Sequence, residues 1–182
     1  EPGLETILKR NIDAKRLEFT SDLISVVKKS DVIFIAVGTP SRRGDGHADL
    51  SFVFSASKEI AKAINKYTVV VTKSTVPVGT GMKVKKIIKE TNPKADFDIV
   101  SNPEFLREGS AIQDFMRPDR VVVGLETKKA KKIMSNIYRP LYLLETPIIY
   151  TSLESSELIK YASNAFLAVK ISYINQMSDL CE

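Results

Sequence analysis

The sequence predicts a doubly wound α/β domain with a parallel sheet, followed by one long α-helix. Short apolar runs without alternation recur up to residue 150, a pattern typical of strands buried on both faces. Segments with helical periodicity separate these runs, which favours right-handed crossovers and helices on both faces of the sheet. From Ser152 to Met177 apolar residues recur at three- and four-residue intervals, which predicts a helix.

The strand prediction depends on where these apolar runs end. The clearest is DVIFIAVGTP, in which a continuous apolar run is followed by turn residues. A weaker candidate, residues 17–20, precedes a helix that Ser21 or Asp22 would cap. The main predicted strands are residues 31–40, 67–77, 97–103, 120–124 and 146–150.

Helical segments fill the gaps between these strands. Residues 50–64 carry an apolar face, and Asp49 or Ser51 would cap their start. Residues 81–91 follow, then residues 128–144 with Thr127 as the capping residue. The final helix predicts a domain boundary near Ser152, which divides the chain into residues 1–151 and 152–182.

The amino-acid composition limits the classes of protein to which the chain can belong. The chain has 182 residues with 43% hydrophobic and 27% charged residues, as in ordinary globular proteins. A single cysteine fits a reducing, cytoplasmic compartment. No apolar run approaches the roughly 20 residues that span a bilayer. The net charge of +5 comes largely from lysine clusters, which favour solvated helix faces over a nucleic-acid surface.

The two ends of the sequence suggest a piece of a longer protein. The first residue is Glu1 rather than methionine, and EPGL leads directly into a helix-like segment. The last residues stop inside an amphipathic pattern without a glycine or proline that would end the helix.

Three of the predicted strands end in unusual polar turns, at residues 38–40, 74–79 and 102–108. Ligands of open α/β sheets bind beyond the carboxyl ends of the strands. Parallel strands would place these turns along one edge, where backbone N–H groups and hydroxyls suit a phosphate or a ribose. Any one turn alone would be only a turn or a helix cap, but three at one edge favour a site.

Two pairs of polar residues have the spacing of one helix turn. Glu104 and Glu108 could divide acid and base roles, or they could be a capping pair with Arg107 in a salt bridge. Lys160 and Asn164 could stabilise a developing oxyanion, although spacing alone favours two solvent-facing side chains.

The single histidine and the single cysteine carry little functional signal. His47 lies in a polar glycine-rich loop without a second ligand at metal-binding spacing, so no metal site is predicted. Cys181 has no activating base nearby in the sequence.

Four segments together resemble the UDP-glucose/GDP-mannose dehydrogenase family. They are VGTPS at residues 37–41, KSTVPVG at 73–79, NPEFLREG at 102–109 and ELIKYASNAFLA at 157–168. They occur in the family's order and at its approximate spacing, and EPGL at the start resembles the segment after the family's second strand. The resemblance implies a Rossmann-like NAD-binding domain over residues 1–151 and the start of a central dimerisation domain over residues 152–182.

The resemblance also implies roles for individual residues. In this family a four-electron oxidation converts a sugar's primary alcohol to a carboxylate and reduces two NAD molecules. Thr75 resembles a threonine that contacts NAD and positions a water, Glu104 an acid/base glutamate, and Lys160 with Asn164 the pair that steadies oxyanions at the sugar C6. The implied cofactor contacts are Val37, Gly38, Thr39, Pro40, Ser74, Thr75 and Glu108. The implied substrate contacts are Glu104, Phe105, Leu106, Arg107, Glu108, Lys160 and Asn164.

The sequence also departs from the family pattern. The family's glycine-rich loop and ribose-binding acid would precede Glu1, and its nucleophilic cysteine would follow Glu182, since Cys181 does not match that motif. The resemblance therefore implies that these 182 residues do not complete the oxidation alone.

Several interpretations stay open within and beyond the family. Residues 160–168 look most like UDP-glucose enzymes, with UDP-N-acetyl-mannosamine and GDP-mannose dehydrogenases as alternatives. A non-catalytic nucleotide-binding module is the rival from another class. The apolar stripe of the last helix predicts a homodimer in the intact protein. The resemblance implies a UDP-sugar as ligand, and the charge pattern and hydropathy predict neither nucleic acid nor membrane as partner.

Overall fold

The computed structural model of the chain describes residues 1–182, apart from the side chains of residues 142–144. Its centre is a five-stranded sheet with the strands in chain order. The strands are β1 (Val32–Ile35), β2 (Thr68–Thr72), β3 (Phe97–Ser101), β4 (Val121–Leu125) and β5 (Ile148–Thr151). The five main predicted strands are therefore confirmed.

The direction of β4 differs from the prediction. Strands β1, β2 and β3 are parallel, and β4 is parallel to β5, but β3 and β4 are antiparallel. The expectation of an entirely parallel sheet was wrong at this one pairing. A run buried on both faces is apolar whichever way it runs, so its composition carries no information about direction.

The helices occupy most of the predicted segments. Pro140 lies where the predicted helix 128–144 changes from α-helix to 3-10 helix, because proline lacks an N–H and restricts the residue before it. The α-helices are α1 (Leu4–Asp13), α2 (Leu23–Lys29), α3 (Ser51–Ala63), α4 (Thr80–Thr91), α5 (Ala111–Met116), α6 (Lys128–Tyr138) and α7 (Leu153–Cys181), and a 3-10 helix covers Arg139–Leu144.

Residues 17–20 form no strand, so that prediction was wrong. Phe19 is 72% exposed, and the backbone N–H of Leu17 bonds to Asn11 at the end of α1. An isolated extended segment without a neighbouring strand gains no ladder of hydrogen bonds, whatever its propensity. The cap that follows is confirmed, since Asp22 Oδ1 accepts from Ser25 N at 3.1 Å.

The other predicted caps have mixed outcomes. Thr127 caps α6 as predicted, with Oγ1 accepting from Ala130 N at 3.1 Å. Leu50 occupies the capping position of α3, without a side-chain bond. Asp49 lies one residue earlier, where its carboxylate accepts from Ser51 N at 2.9 Å.

Two apolar clusters cover the two faces of the sheet, as the doubly wound prediction requires. One cluster joins Val70 and Ile99 of the sheet to α2, α3, α4 and the first residue of α7. The other joins Val71 and Val123 to Met134 of α6.

The long helix α7 has two different parts. Its first turns pack on the sheet, where Leu153 and Ser156 are buried. Its remaining length is exposed, including large apolar side chains such as Phe166 and Ile174. No described helix combines the length and the apolar character needed to cross a membrane.

Gly124 in β4 sets how closely α7 approaches the sheet. A methyl group at this position would lie 2.6 Å from the backbone oxygen of Ser152 and 3.0 Å from Leu153 Cα. These are backbone atoms at the start of the helix, so they cannot move aside as a flexible side chain can.

We expect Gly124→Ala to lower the free energy of unfolding by about 3 kcal/mol, the upper end of the range for overpacked cores. Chemical denaturation measures the change. Gly38→Ala is the matched control, since a methyl group there meets no described atom within 4 Å. Equal stability of the two variants would contradict the close packing of α7 on β4.

Candidate functional site

The carboxyl ends of β1 and β2 are joined by side-chain hydrogen bonds. Thr39 Oγ1 donates to the backbone oxygen of Thr75 at 2.9 Å, and Ser74 Oγ donates to the backbone oxygen of Val37 at 2.6 Å. Two of the three predicted turns are therefore in direct contact. We call Val37, Gly38, Thr39, Pro40, Ser74 and Thr75 the hydroxyl cluster.

The third turn is anchored by Asn102, directly after β3. Asn102 is 1% exposed, and its Nδ2 donates to the backbone oxygen of Val122 at 2.8 Å. The hydroxyl of Tyr138 donates to its Oδ1. Burial raises the pKa of Tyr138 to about 12, so this hydroxyl keeps its proton and remains a donor at physiological pH.

Beyond this anchor, Glu104 meets Lys160. The Lys160 Nζ lies 3.5 Å from Glu104 Oε1, with side-chain exposures of 8% and 32%. The other carboxylate oxygen of Glu104 accepts from Leu106 N. The predicted acid/base carboxylate and the predicted oxyanion-binding cation therefore form one ion pair, although they come from different elements.

An aromatic ring lies beside this pair. The Lys160 Nζ is 5.2 Å from the centre of the Phe105 ring, and the Arg120 guanidinium is 4.5 Å from it. Arg120 also donates to Ser163 Oγ at 3.4 Å. The Phe105 ring is therefore within cation–π distance of two cations. The sequence pointed to Phe105 but not to Arg120.

A cavity of about 950 Å³ contains the predicted substrate-side residues. Of the predicted set, it is lined by Glu104, Phe105, Leu106, Arg107, Lys160 and Asn164. Sequence reasoning assigned no role to ten further polar lining residues, which are Lys73, Asn102, Gln113, Asp114, Arg117, Asp119, Arg120, Tyr138, Ser163 and Lys170. The excess of cations in this lining suits an anionic ligand.

The predicted cofactor-side residues do not line this cavity, among the side chains that the structure describes. The hydroxyl cluster lies at the neighbouring strand ends, and Lys73 connects the two places because it precedes Ser74 and lines the cavity. Glu108 lies on an exposed turn and belongs neither to the cavity lining nor to the hydroxyl cluster. Its roles as a cofactor ligand and as a substrate contact both stay predictions.

Glu157 connects α7 to the turn that contains Thr75. Its side chain, on a residue only 2% exposed, accepts from Gly79 N at 2.6 Å and from Gly81 N at 2.7 Å. These N–H groups belong to the start of α4, which has no side-chain cap of its own. Burial raises the pKa of Glu157, and the Gly81 and Gly79 N–H groups oppose that rise. Gly79 has a φ of 87°, a conformation that glycine adopts without steric cost.

Arg107 is held by α5 rather than by Glu104 or Glu108. Its Nη2 donates to Asp114 Oδ1 at 2.7 Å, and its Nε and backbone N donate to Oδ2. These bonds lower the pKa of Asp114 to about 2. The part of the alternative that placed Arg107 in a salt bridge is therefore confirmed, with Asp114 of α5 as the partner.

The single histidine and the single cysteine, to which the sequence analysis gave no function, are both exposed. His47 lies in the loop before α3, and Cys181 is a free thiol at the end of α7. Within the described residues, no group of three histidine, cysteine, aspartate or glutamate side chains could hold a metal ion.

Comparison with known proteins identifies the family of this fold and site. Residues 1–142 match the model of the UDP-glucose/GDP-mannose dehydrogenase family, NAD binding domain. The chain belongs to this family. Residues 154–182 match the family's central domain, so the match continues into α7.

Relatives in the dehydrogenase family are similar over the whole chain. A UDP-glucose 6-dehydrogenase of Rhizobium meliloti is 60% identical over all of this chain and 42% of its own length. One from Bacillus subtilis is 50% identical over 39% of its own length. The chain thus spans about two fifths of the curated relatives that it matches.

Solved structures agree with the fold. A UDP-glucose dehydrogenase from Pyrobaculum islandicum superposes with a TM-score of 0.92 at 41% identity, over 97% of this chain and 41% of that one. A GDP-mannose dehydrogenase from Pseudomonas aeruginosa gives 0.91 at 38% identity, over 96% and 41%. The α/β domain followed by a long helix is therefore the family's architecture.

We expect Glu157→Gln to lower the free energy of unfolding by about 1–3 kcal/mol, the cost of an unpaired buried donor. Glutamine has one oxygen for two N–H donors, and its own amide group would face the second donor. Thermal or chemical unfolding measures the loss. Glu59→Gln, on the exposed face of α3, is the matched control. A Glu157→Gln variant as stable as this control would contradict the bridge.

Proposed function

We propose that the intact protein oxidises the primary alcohol of UDP-glucose to the carboxylate of UDP-glucuronate, with NAD as the oxidant. The observation that carries this proposal is the Glu104–Lys160 pair, 3.5 Å apart in a cavity that Asn164 also lines. A carboxylate, a buried ammonium and an amide are the groups that proton transfer and oxyanion stabilisation need.

The hydroxyl cluster fits one part of NAD. Gly38 is exposed and faces open space on its Cα, so a ligand can approach the backbone closely there. The Thr39 hydroxyl donates to Thr75, which leaves its lone pairs free to accept from a ribose or an amide. When bound at this edge, NAD supplies the acceptor for hydride from the sugar C6.

Lys160 and Asn164 have the placement that an alkoxide requires. Lys160 is almost fully buried, so its charge is poorly screened and acts strongly on a nearby oxygen. Asn164 lies one turn further along α7 and adds an N–H donor that stays neutral. Together they would stabilise negative charge on the C6 oxygen as its proton leaves.

Glu104 has the placement of a base for water. Lys160 and the Leu106 N–H both contact its carboxylate, which fixes its orientation. A carboxylate held in this way can accept a proton from a water that attacks the oxidised carbon. Thr75, at the adjacent strand end, is the residue that we propose to position that water beside the nicotinamide.

The choice of UDP-glucose rests on similarity. The relatives at 60% and 50% identity are UDP-glucose 6-dehydrogenases, whereas the GDP-mannose dehydrogenase is 38% identical. The cationic lining of the cavity, including Arg107 and Arg120, suits the pyrophosphate that all these sugar nucleotides share. The lining alone therefore does not select the sugar.

We further propose that residues 1–151 form the NAD-binding domain and that residues 152–182 begin the central domain. The Ser152 hydroxyl caps α7 by accepting from Ser155 N at 3.1 Å, which supports a boundary there. We place the protein in the cytoplasm, because one cysteine among these 182 residues fits a reducing compartment. Fractionation of the source cells tests this location.

The exposed part of α7 supports a homodimer. Phe166, Val169, Tyr173 and Ile174 are all more than half exposed, and an apolar stripe of this length favours association. We expect the intact protein to have the mass of a dimer in light scattering. A monomer at micromolar concentration would contradict this assembly.

The proposed reaction is tested by NADH formation from the intact protein with UDP-glucose, UDP-N-acetyl-mannosamine or GDP-mannose. We expect UDP-glucose to react fastest and to yield about two NADH per sugar, since each NAD accepts one hydride. A faster reaction with another sugar nucleotide would assign that substrate instead. NAD binding without NADH formation from any of them would favour the non-catalytic nucleotide-binding module.

The Lys160→Met variant tests the proposed role of this residue in the same assay. We expect it to reduce kcat by about 100-fold or more, the loss typical of one oxyanion-stabilising group. Lys62→Met, on the exposed face of α3, removes the same charge away from the cavity and should leave kcat unchanged. Circular dichroism verifies that both variants are folded.

A further inference from the structure

Lys73 is a cavity residue to which the proposed mechanism gives no role. It follows β2 directly and precedes Ser74 of the hydroxyl cluster. Its Nζ lies 3.4 Å from both the backbone oxygen and the Oδ1 of Asn102, and the Phe115 ring centre is 6.0 Å away. The ammonium group is therefore held at the end of β3, inside the lining of the cavity.

The support beneath Lys73 is rigid. Asn102 is itself fixed by Val122 and Tyr138, and its backbone N donates to the Thr72 oxygen at 2.9 Å. Both oxygens that contact Lys73 are thus immobilised by the sheet. A lysine held on such a support presents its remaining N–H donor at a fixed place.

The charges around Lys73 do not balance. Glu104, beyond β3, attracts it and Lys160 of α7 repels it. Helix α5 contributes the neutral Phe115 ring and Asp114, whose carboxylate is bound by Arg107. Glu104 is already in contact with Lys160. Among the described side chains, no carboxylate oxygen lies within 4.0 Å of Lys73 Nζ. Lys73 and Lys160 are therefore two positive charges beside the single negative charge of Glu104. A ligand with one further negative charge would balance them.

The proposed reaction creates a charge of that kind. The C6 group of the substrate is a neutral alcohol, whereas the C6 group of the product is a carboxylate. We propose that Lys73 binds the carboxylate of the product, UDP-glucuronate, and so distinguishes product from substrate at the same subsite. This inference rests on the proposed function, because it places C6 between Glu104 and Lys160.

The proposal predicts that Lys73 takes up a proton when the product binds. Burial lowers the pKa of Lys73 to about 8, Lys160 adds to this decrease and Glu104 opposes it. Near pH 8 about half of the free protein would lack this proton, and a bound carboxylate would draw it back. Product binding should therefore take up protons near pH 8 and few at pH 6.5, where Lys73 is already charged.

Calorimetric titration of the intact protein with UDP-glucuronate, in buffers of different ionisation enthalpy, measures this uptake. We expect about half a proton per site at pH 8. Lys73→Met should abolish the uptake and weaken product binding by about ten-fold or more, while UDP-glucose affinity changes little. Lys73→Arg should restore affinity without uptake, since arginine stays charged.

The outcomes separate this proposal from the proposed function. Lys58→Met, exposed on α3, controls for the loss of one positive charge. If UDP-glucose is oxidised but Lys73→Met binds UDP-glucuronate with normal affinity and proton uptake, the role of Lys73 is wrong and the dehydrogenase assignment stands. If no UDP-sugar is oxidised, the proposed function fails first. Equal loss of UDP-glucose and UDP-glucuronate affinity in Lys73→Met would overturn the discrimination.

Discussion

The arrangement of the site depends on one buried contact, the Glu157 carboxylate at the start of α4. Its two hydrogen bonds join a residue of α7 to N–H groups 76 and 78 positions earlier in the chain. One turn further along α7 lies Lys160, and four residues before Gly79 lies Thr75. The Glu157 carboxylate therefore holds α7, which carries Lys160, against the turn after β2, which carries Thr75 of the hydroxyl cluster. Since this contact is buried, solvent cannot replace it without a cost in free energy.

Much of this architecture could be read from the sequence, because burial leaves a local pattern. The apolar runs of β1 to β5 and the long periodicity of α7 need only composition and spacing, and strand ends with polar turns locate the functional edge. The orientation of β4 has no such signal. The bonds of Glu157, Asn102 and Arg107 join residues from separate elements or distant positions, so nothing in their immediate neighbours indicates them. Lys73 was visible within the KSTVPVG segment, but only its contact with Asn102 gives it a function.

The site has two parts with different chemistry. The hydroxyl cluster offers neutral donors and acceptors at the ends of β1 and β2, whereas the cavity beyond β3 is lined by charged groups. Lys73 lies at the junction of the two parts. This division fits the proposed reaction, in which the nicotinamide ring would lie beside an alcohol that becomes negatively charged.

The reversed strand has a further consequence for the shape of the cavity. Strand β4 pairs with β3 at only two positions, Val100 with Leu125 and Ser101 with Gly124. Its first residues therefore extend past the end of β3, where they pair with β5 instead. Arg120 and Val121 line the cavity from this overhang. The cavity wall at Val121 is consequently continuous with the hydrogen-bonded sheet, which opens less readily than a loop.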